Sequence, residues 1–173
     1  MAGRPLPRAL IEHIPQLMRR SYDRIAPLYN RGRDKRRDWT SWKRSWEDRV
    51  VYSRFVRRLP PGGRVLDLGC GVGVWLKQFR ANRFRVAGID QSPRMVAFSR
   101  RRNPGAPVFC RDMRRPGFTA GSFDGILSMF AVIHVPQGDQ PEVFRHMHRL
   151  LKPGGHFLIN IGGGAYEYVG EHH

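Results

Sequence analysis

Between residues 64 and 161, short apolar runs alternate with stretches whose apolar residues recur every three or four positions. The runs at 64–68, 85–89, 107–110, 124–129 and 156–161 have the length of strands. The stretch 73–81 sets Trp75, Leu76 and Phe79 on one helical face, and 140–151 does the same for Val143, Phe144, Met147, Leu150 and Leu151. Between the second and third runs, Ser92-Pro93 supplies an N-cap and a first-turn proline for a further helix. Lys152-Pro153-Gly154-Gly155 stops the last helix. Strands that alternate with helices predict an α/β domain, a doubly wound parallel sheet with helices on both faces.

The pattern before residue 61 is different. Leu10, Ile11, Ile14, Leu17 and Met18 have helical spacing, but Pro15 predicts a kink or an end there. Residues 21–30 read as a short aromatic segment with Tyr22 and Tyr29, and 31–38 as a charged loop. A helix over 40–58 carries Trp42, Trp46, Val50, Val51 and Phe55 until Leu59-Pro60-Pro61-Gly62-Gly63 ends it. The chain thus divides into an N-terminal helical extension or lid, 1–60, and a core, 61–173. After Gly162-Gly163-Gly164 only a short tail remains, so the fifth strand is expected to leave an apolar sheet edge. The N-terminal helices, a second copy or a partner chain would cover it, or the chain is a shortened form of a longer protein.

With 173 residues the chain can bury one core without staples. Cys70 and Cys110, its only cysteines, give neither a disulfide framework nor a zinc pair, and a reducing cytoplasm fits them. No apolar run reaches the ~18 residues of a membrane span, so no membrane partner is expected. The first residues lack the apolar block and cleavage site of a signal peptide, and Glu12 and Pro15 argue against a transit peptide. A net charge of +17 has two readings, attraction to nucleic acid or acidic substrates and an arginine-rich composition. The second is preferred, because all but 4 of the 31 basic residues are arginine and no RNA-binding signature accompanies them. The histidines form no ligand-spaced set, so no metal is expected.

The chemistry concentrates in Val65-Leu66-Asp67-Leu68-Gly69-Cys70-Gly71-Val72-Gly73. An apolar strand ends at an acid, and three glycines follow at every second position, where a ligand can approach the backbone closely. The second strand ends at Asp90, 21 positions after Gly69, where a doubly wound fold sets the carboxylate that holds ribose hydroxyls. The dinucleotide fingerprint GxGxxG does not fit, because Val74 stands where its third glycine belongs. Asp67, Asp90 and Asp112, each beside a strand end, suit a cationic nucleoside better than a pyrophosphate.

In order and spacing these motifs resemble the class I S-adenosylmethionine-dependent methyltransferases of the small-molecule type, with a DLGCGxG loop and, at Leu150–Gly155, an LLKPGG signature. The resemblance covers about 64–161. It implies a Rossmann-like sheet of about five strands in the order 3-2-1-4-5 and S-adenosylmethionine as cofactor, with no metal. It sets Asp67 near the methionine ammonium through water, and Gly69, Cys70, Gly71 and Gly73 along the methionine and ribose. Asp90 would take both ribose hydroxyls, and Gln91 and Met95 would touch the adenosine. Asp112 would accept the adenine amino group, with the Met113 backbone against the ring. Ser128 and Met129 would meet the methionine part through main chain, and Tyr22 and Tyr29 would close over cofactor or acceptor. Such enzymes carry two more strands after the fifth, and these are absent here.

Each residue also has a plainer reading. Asp90 could cap the Ser92-Pro93 helix, and Asp67 and Asp112 the turns they begin; strand-end position beside the glycine loop favours the ligand roles of the first two. Ser128 and Met129 end a buried strand, which packing alone explains. Tyr22 and Tyr29 could staple the following helix, and Trp42 and Trp46 have core spacing. His134, after the fourth strand, is the candidate general base. Its plainer reading, a loop histidine hydrogen-bonded to backbone, is the preferred one. The function that follows is in-line methyl transfer to an O, N or C atom of a small-molecule acceptor, where the protein mainly positions the reactants. A nucleic-acid methyltransferase is the first alternative, but Ser128-Met129-Phe130-Ala131 lacks the Asn/Asp-Pro-Pro-aromatic box of similar base-amino enzymes. No Pro-Cys nucleophile for pyrimidine C5 is present either. A cofactor-binding protein without activity of its own and an NAD(P) dehydrogenase are the others.

Overall fold

Val65, Leu66 and Leu68 are wholly buried, which sets β1 (Arg64–Leu68) in the middle of the sheet. The computed structural model describes residues 8–34, 46–160 and 165–166. β1 pairs in parallel with β2 (Arg85–Asp90) on one side and β4 (Phe123–Ser128) on the other. β3 (Val108–Cys110) lies outside β2, and β5 (Leu151–Asn160) outside β4. Five parallel strands therefore stand in the order 3-2-1-4-5, and all of them end on one edge.

Side chains alternate across the strands and feed two cores. One face of the sheet packs against α2 (Trp46–Arg58) and α3 (Val74–Ala81) through Tyr52, Phe55, Trp75, Leu76 and Phe79. The other packs against α5 (Gln140–Leu150) through Val143, Met147 and Leu150. α4 (Pro93–Arg102) starts as its sequence predicts: the Ser92 hydroxyl accepts from the Met95 N–H at 3.1 Å, and Pro93 fills the first turn. At the other end of the sheet, Asp124 ties β1 to β4 and β5. It accepts the Arg64 N–H at 2.7 Å and pairs with Lys152 at 2.8 Å.

Several expectations are corrected. α1 (Arg8–Asp34) is one helix that runs through Pro15 and Pro27. Its docking outweighs the roughly 3 kcal/mol that an internal proline costs. Ala26 is fully buried, and Tyr22 and Tyr29 pack with it against Val72 and Met95. The segment 21–30 and the start of the loop at 31–38 thus belong to α1. The helix expected over 40–58 is described from Trp46, and Trp42 lies outside the described residues. β5 starts at Leu151, directly after α5, so Lys152–Gly155 stops the helix but is already strand. The register slips between Phe123 and Gly125, which absorbs this early start. β5 is also not the last strand: β6 (Ala165–Tyr166) pairs antiparallel with Ile159 and Asn160. At those two residues the chain covers its own edge, which removes the reason given there for a second copy or a partner.

Gly73 and Gly105 both have left-handed φ, +76° and +79°. A Cβ on Gly105 would meet open space, whereas one on Gly73 would strike Ser99 and Asn103 of the α4 end. Gly105→Ala is expected to lower unfolding free energy by ~1–2 kcal/mol, the left-handed penalty alone. Gly73→Ala should lose a further ~1–3 kcal/mol by overpacking, and urea unfolding of the pair measures the difference.

Candidate functional site

The loop after β1 turns on glycines because the backbone must pass under neighbouring groups. Gly69, at φ +85°, donates its N–H to the Ile89 carbonyl at 2.9 Å and leaves no room for a Cβ beside Ala131. Gly71 differs: a Cβ there would meet nothing within 4 Å, so this glycine faces open space. Its N–H donates to Asp90 Oδ2 at 2.9 Å, while Asp90 Oδ1 accepts the Ser92 N–H at 2.9 Å. Burial raises the Asp90 pKa, and these two backbone donors oppose the rise.

A cavity of about 340 Å³ opens over the strand ends. The loop supplies Gly69, Cys70 and Gly71; the end of β2 supplies Asp90 and Gln91; and the segment after β3 supplies Arg111, Asp112, Met113 and Arg114. Met95 of α4 and Met129, Phe130 and His134 after β4 complete the floor and one wall, and Tyr22 and Tyr29 of α1 form the roof. α1 is held over the opening by specific bonds. The Ser92 hydroxyl donates to Asp23 Oδ1 at 2.5 Å and the Arg94 N–H to the same oxygen at 3.1 Å. Further along, Arg102 of α4 donates to the Asn30 side chain at 2.9 Å.

Three expected site residues do not line this cavity. Asp67 lies beneath the loop, 1% exposed, and its Oδ2 has no hydrogen-bond partner. Burial, and secondarily the nearby Asp90, push its pKa up to about 8. Gly73 is packed against α4, and the Ser128 hydroxyl donates to the Leu68 carbonyl at 2.8 Å, fastening β4 to β1. Asp112 lines the cavity but is already engaged. Its carboxylate accepts from the Arg114 guanidinium at 2.6 Å and from the Arg114 N–H at 2.9 Å. Burial raises its pKa, but the contacts with Arg114 outweigh that and bring it below the ordinary carboxylate value.

His134 does more than the preferred loop reading allowed. The Tyr22 hydroxyl and His134 Nε2 stand 2.6 Å apart, with the two rings edge to face. Burial lowers the His134 pKa; burial, then Tyr29 and Asp90, raise that of Tyr22. Both shifts favour the neutral forms, and the hydrogen bond runs from the O–H to Nε2 when the imidazole carries its proton on Nδ1, and from Nε2–H to the hydroxyl in the other tautomer. Sequence reasoning named both residues and missed the pairing, because 112 positions separate them. It also missed Phe130, whose left-handed φ of +55° no sequence pattern announces, and Arg114, for which the Asp112 turn was the available signal.

Which ligand fits follows from the charges. Asp90 sits under the glycine loop with both oxygens held by backbone N–H groups, and Asp67 behind it keeps its proton near neutral pH until a cation binds nearby. The nearby arginines are occupied: Arg111 by the Pro116 and Gly117 carbonyls at 2.9 Å, Arg114 by Asp112 and Asp139. A pyrophosphate would meet the Asp90 carboxylate at the glycine loop, whereas a cationic adenosine derivative is complemented there. Among the described residues no group of three or more side chains could hold a metal.

A Rossmann-like sheet with this loop and these strand-end carboxylates defines a class I S-adenosylmethionine-dependent methyltransferase domain. The comparisons agree, and the chain belongs to the methyltransferase domain family, whose model matches residues 65–155, more than half of its length. It is 36% identical over 108 residues to phosphoethanolamine N-methyltransferase 1 of Arabidopsis thaliana, covering 59% of this chain and 21% of that protein. It is also 36% identical to the dTDP-4-amino-2,3,4,6-tetradeoxy-D-glucose N,N-dimethyltransferase of Saccharopolyspora spinosa, over 71% of this chain and 48% of that one. Among solved structures, S-adenosylmethionine-bound CalS10, an amino pentose methyltransferase from Micromonospora echinaspora, superimposes with a TM-score of 0.62. Identity is 30%, over 73% of this chain and 55% of that one. The chain spans less than half the length of either curated relative.

Asp67 makes folding stability depend on pH. Its folded pKa of about 8 lies above the ordinary value of 3.8, so between the two the folded state holds a proton that the unfolded state has lost. Its contribution is full below pH ~4 and fades as pH rises through about 8. Urea unfolding at several pH values should show the ligand-free protein losing stability from pH 5 to 9, and Asp67→Asn flattening that slope; an unchanged slope in the variant removes Asp67 as its cause. Asp90→Ala is expected to weaken S-adenosylmethionine binding by at least ~1 kcal/mol, read by calorimetry.

Proposed function

We propose that this chain transfers the methyl of S-adenosylmethionine to an amine nitrogen of a small-molecule acceptor, with Tyr22 and His134 at the acceptor end of the cavity. The observation that carries this reading is the Tyr22–His134 bond across the cavity wall, together with the neutral state of the imidazole. The two curated relatives and the solved amino pentose methyltransferase support it, since each is named for an amino compound or an N-methyl transfer.

When bound, S-adenosylmethionine supplies a methyl on a cationic sulfur, an electrophile that needs no further activation. The chain's own work is to hold and to exclude. Asp90, Gln91 and Met95 are the candidates to seat the adenosine, and Asp112 and Met113 to bound its ring. The open side of Gly71 admits the ribose and methionine part, with Met129 as a wall. Asp90 supplies a carboxylate beside the sulfonium and ammonium, and Asp67 beneath the loop, protonated near neutral pH in the free protein, is able to ionise as the cation arrives. The effective concentration gained by fixing the acceptor at contact is ~10⁵ M or more, most of what this reaction requires.

An amine acceptor arrives protonated near neutral pH and must lose a proton before its lone pair can attack. His134 Nε2 is the atom that takes this proton, directly or as Tyr22 passes on its own. The roof formed by α1 restricts the entrance, which favours a small acceptor over a base in a nucleic-acid duplex. Among the described residues no helix is long and apolar enough to cross a membrane.

Mass spectrometry of S-adenosylhomocysteine and methylated product, across a panel of amino sugars and phosphorylated amino alcohols, tests this reading. Tyr22→Phe and His134→Asn should each lower kcat by ~10²-fold or more with little change in cofactor affinity. Activity should fall as pH drops, with its midpoint below 6.5, because burial lowers the His134 pKa. Full turnover in both variants would remove the pair from the reaction.

A further inference from the structure

The side of α1 turned away from the cavity carries its own pattern. At about 100° per residue, Leu17, Ser21, Arg24, Leu28 and Arg31 fall within an arc of about 80°, with Arg20 and Ile25 at its two margins. Leu17, Ile25 and Leu28 are 50%, 41% and 66% exposed, and Arg20, Arg24 and Arg31 are exposed beside them. Asp23 is on the inner side, bonded to Ser92 and Arg94. The inner side also takes the aromatic residues, since Tyr22 and Tyr29 line the cavity. The outer face therefore combines protruding aliphatics with flanking arginines; among its described side chains the His13 imidazole, one turn before Leu17, is the one ring, and none is an acid.

We propose that this outer face of α1 docks the domain on an anionic lipid bilayer, with the helix in the plane of the interface, Leu17, Ile25 and Leu28 in the acyl boundary and Arg20, Arg24 and Arg31 against the headgroups. Amphipathic helices bind membrane surfaces by this division of labour: apolar side chains insert, and arginines at their flank meet anionic lipid. Charge complementarity selects the occupant. A second copy in an isologous pair would set these arginines against their own equivalents. Single-stranded nucleic acid would satisfy the charge but leave the aliphatics in water, with the His13 imidazole alone to stack on among the described side chains. A protein partner would meet three exposed large apolar side chains among the described residues, a small core for a face of roughly 800 Å². The expectation of no membrane partner rested on the absence of a spanning segment, which in-plane docking does not need. On such a surface α1 stands between bilayer and cavity, so docking and the α1 roof are coupled through one rigid helix.

Co-sedimentation of the full chain with phosphatidylcholine vesicles, with and without phosphatidylglycerol, tests the proposal at low and high salt. Binding is expected only to the vesicles with phosphatidylglycerol, weakening as salt rises. Leu17→Ser/Leu28→Ser should reduce that binding by about tenfold or more, and Arg20→Gln/Arg24→Gln/Arg31→Gln should abolish it. Circular dichroism and S-adenosylmethionine calorimetry identify variants that remain folded, and the exposed arginine set decides the matter where the leucine pair does not fold. Three results each overturn the proposal. One is no binding to phosphatidylglycerol vesicles, whether or not a short RNA is bound through the same arginines. Another is vesicle binding that both folded variants retain. The third is a concentration-dependent dimer, seen by sedimentation velocity, that the leucine pair abolishes.

Discussion

The Asp90 carboxylate is the hinge on which the site is built, because both of its oxygens are fixed by backbone. Oδ2 accepts from Gly71 in the glycine loop and Oδ1 from Ser92 at the start of α4. One side chain thereby joins the end of β2 to the loop after β1 and to the helix that follows. Charge-assisted hydrogen bonds of this kind are worth roughly 1.5–3 kcal/mol each, and two of them offset much of the cost of burying the charge. The chain of dependence continues outward. Ser92 also holds Asp23, so the position of α1, and with it the Tyr22 roof, is referred back to the same strand end.

This arrangement buries two acids close together at the strand ends. Asp67 has an unpaired oxygen, and burial, with Asp90 as the lesser cause, lifts its pKa to about 8, so the free protein holds it protonated near neutral pH. A pair of carboxylates in such surroundings is expensive in the free protein and becomes an asset when a cation arrives. The arginines near the other end of the cavity do not relieve it, because carbonyls and other acids already hold them. The site is thus tuned by what its charged side chains are already bonded to, as much as by which residues are present.

Much of this was legible in the sequence, for identifiable reasons. Five buried strands announced themselves as short apolar runs, and the Gly69–Gly73 loop and Asp90 by spacing, because local geometry fixes them. Gly73 was expected along the ligand from its place in the loop: its left-handed conformation was readable, but the neighbours that forbid a Cβ, Ser99 and Asn103, come from another helix. α1 was broken at Pro15 because proline speaks to local cost, while the burial of Ala26 and Tyr22 that overrides it is tertiary. The Tyr22–His134 pair was hidden for the same reason, and β6 because two residues after a glycine run carry no strand pattern.

The account rests on a cavity that prefers a cationic adenosine derivative to a pyrophosphate. Calorimetric titration of the purified chain with S-adenosylmethionine and with NAD⁺ under identical conditions tests that preference most directly. Saturable one-to-one binding of S-adenosylmethionine and no detectable heat from NAD⁺ is the predicted result. Tighter binding of NAD⁺, or the absence of any S-adenosylmethionine binding by a folded sample, would contradict it.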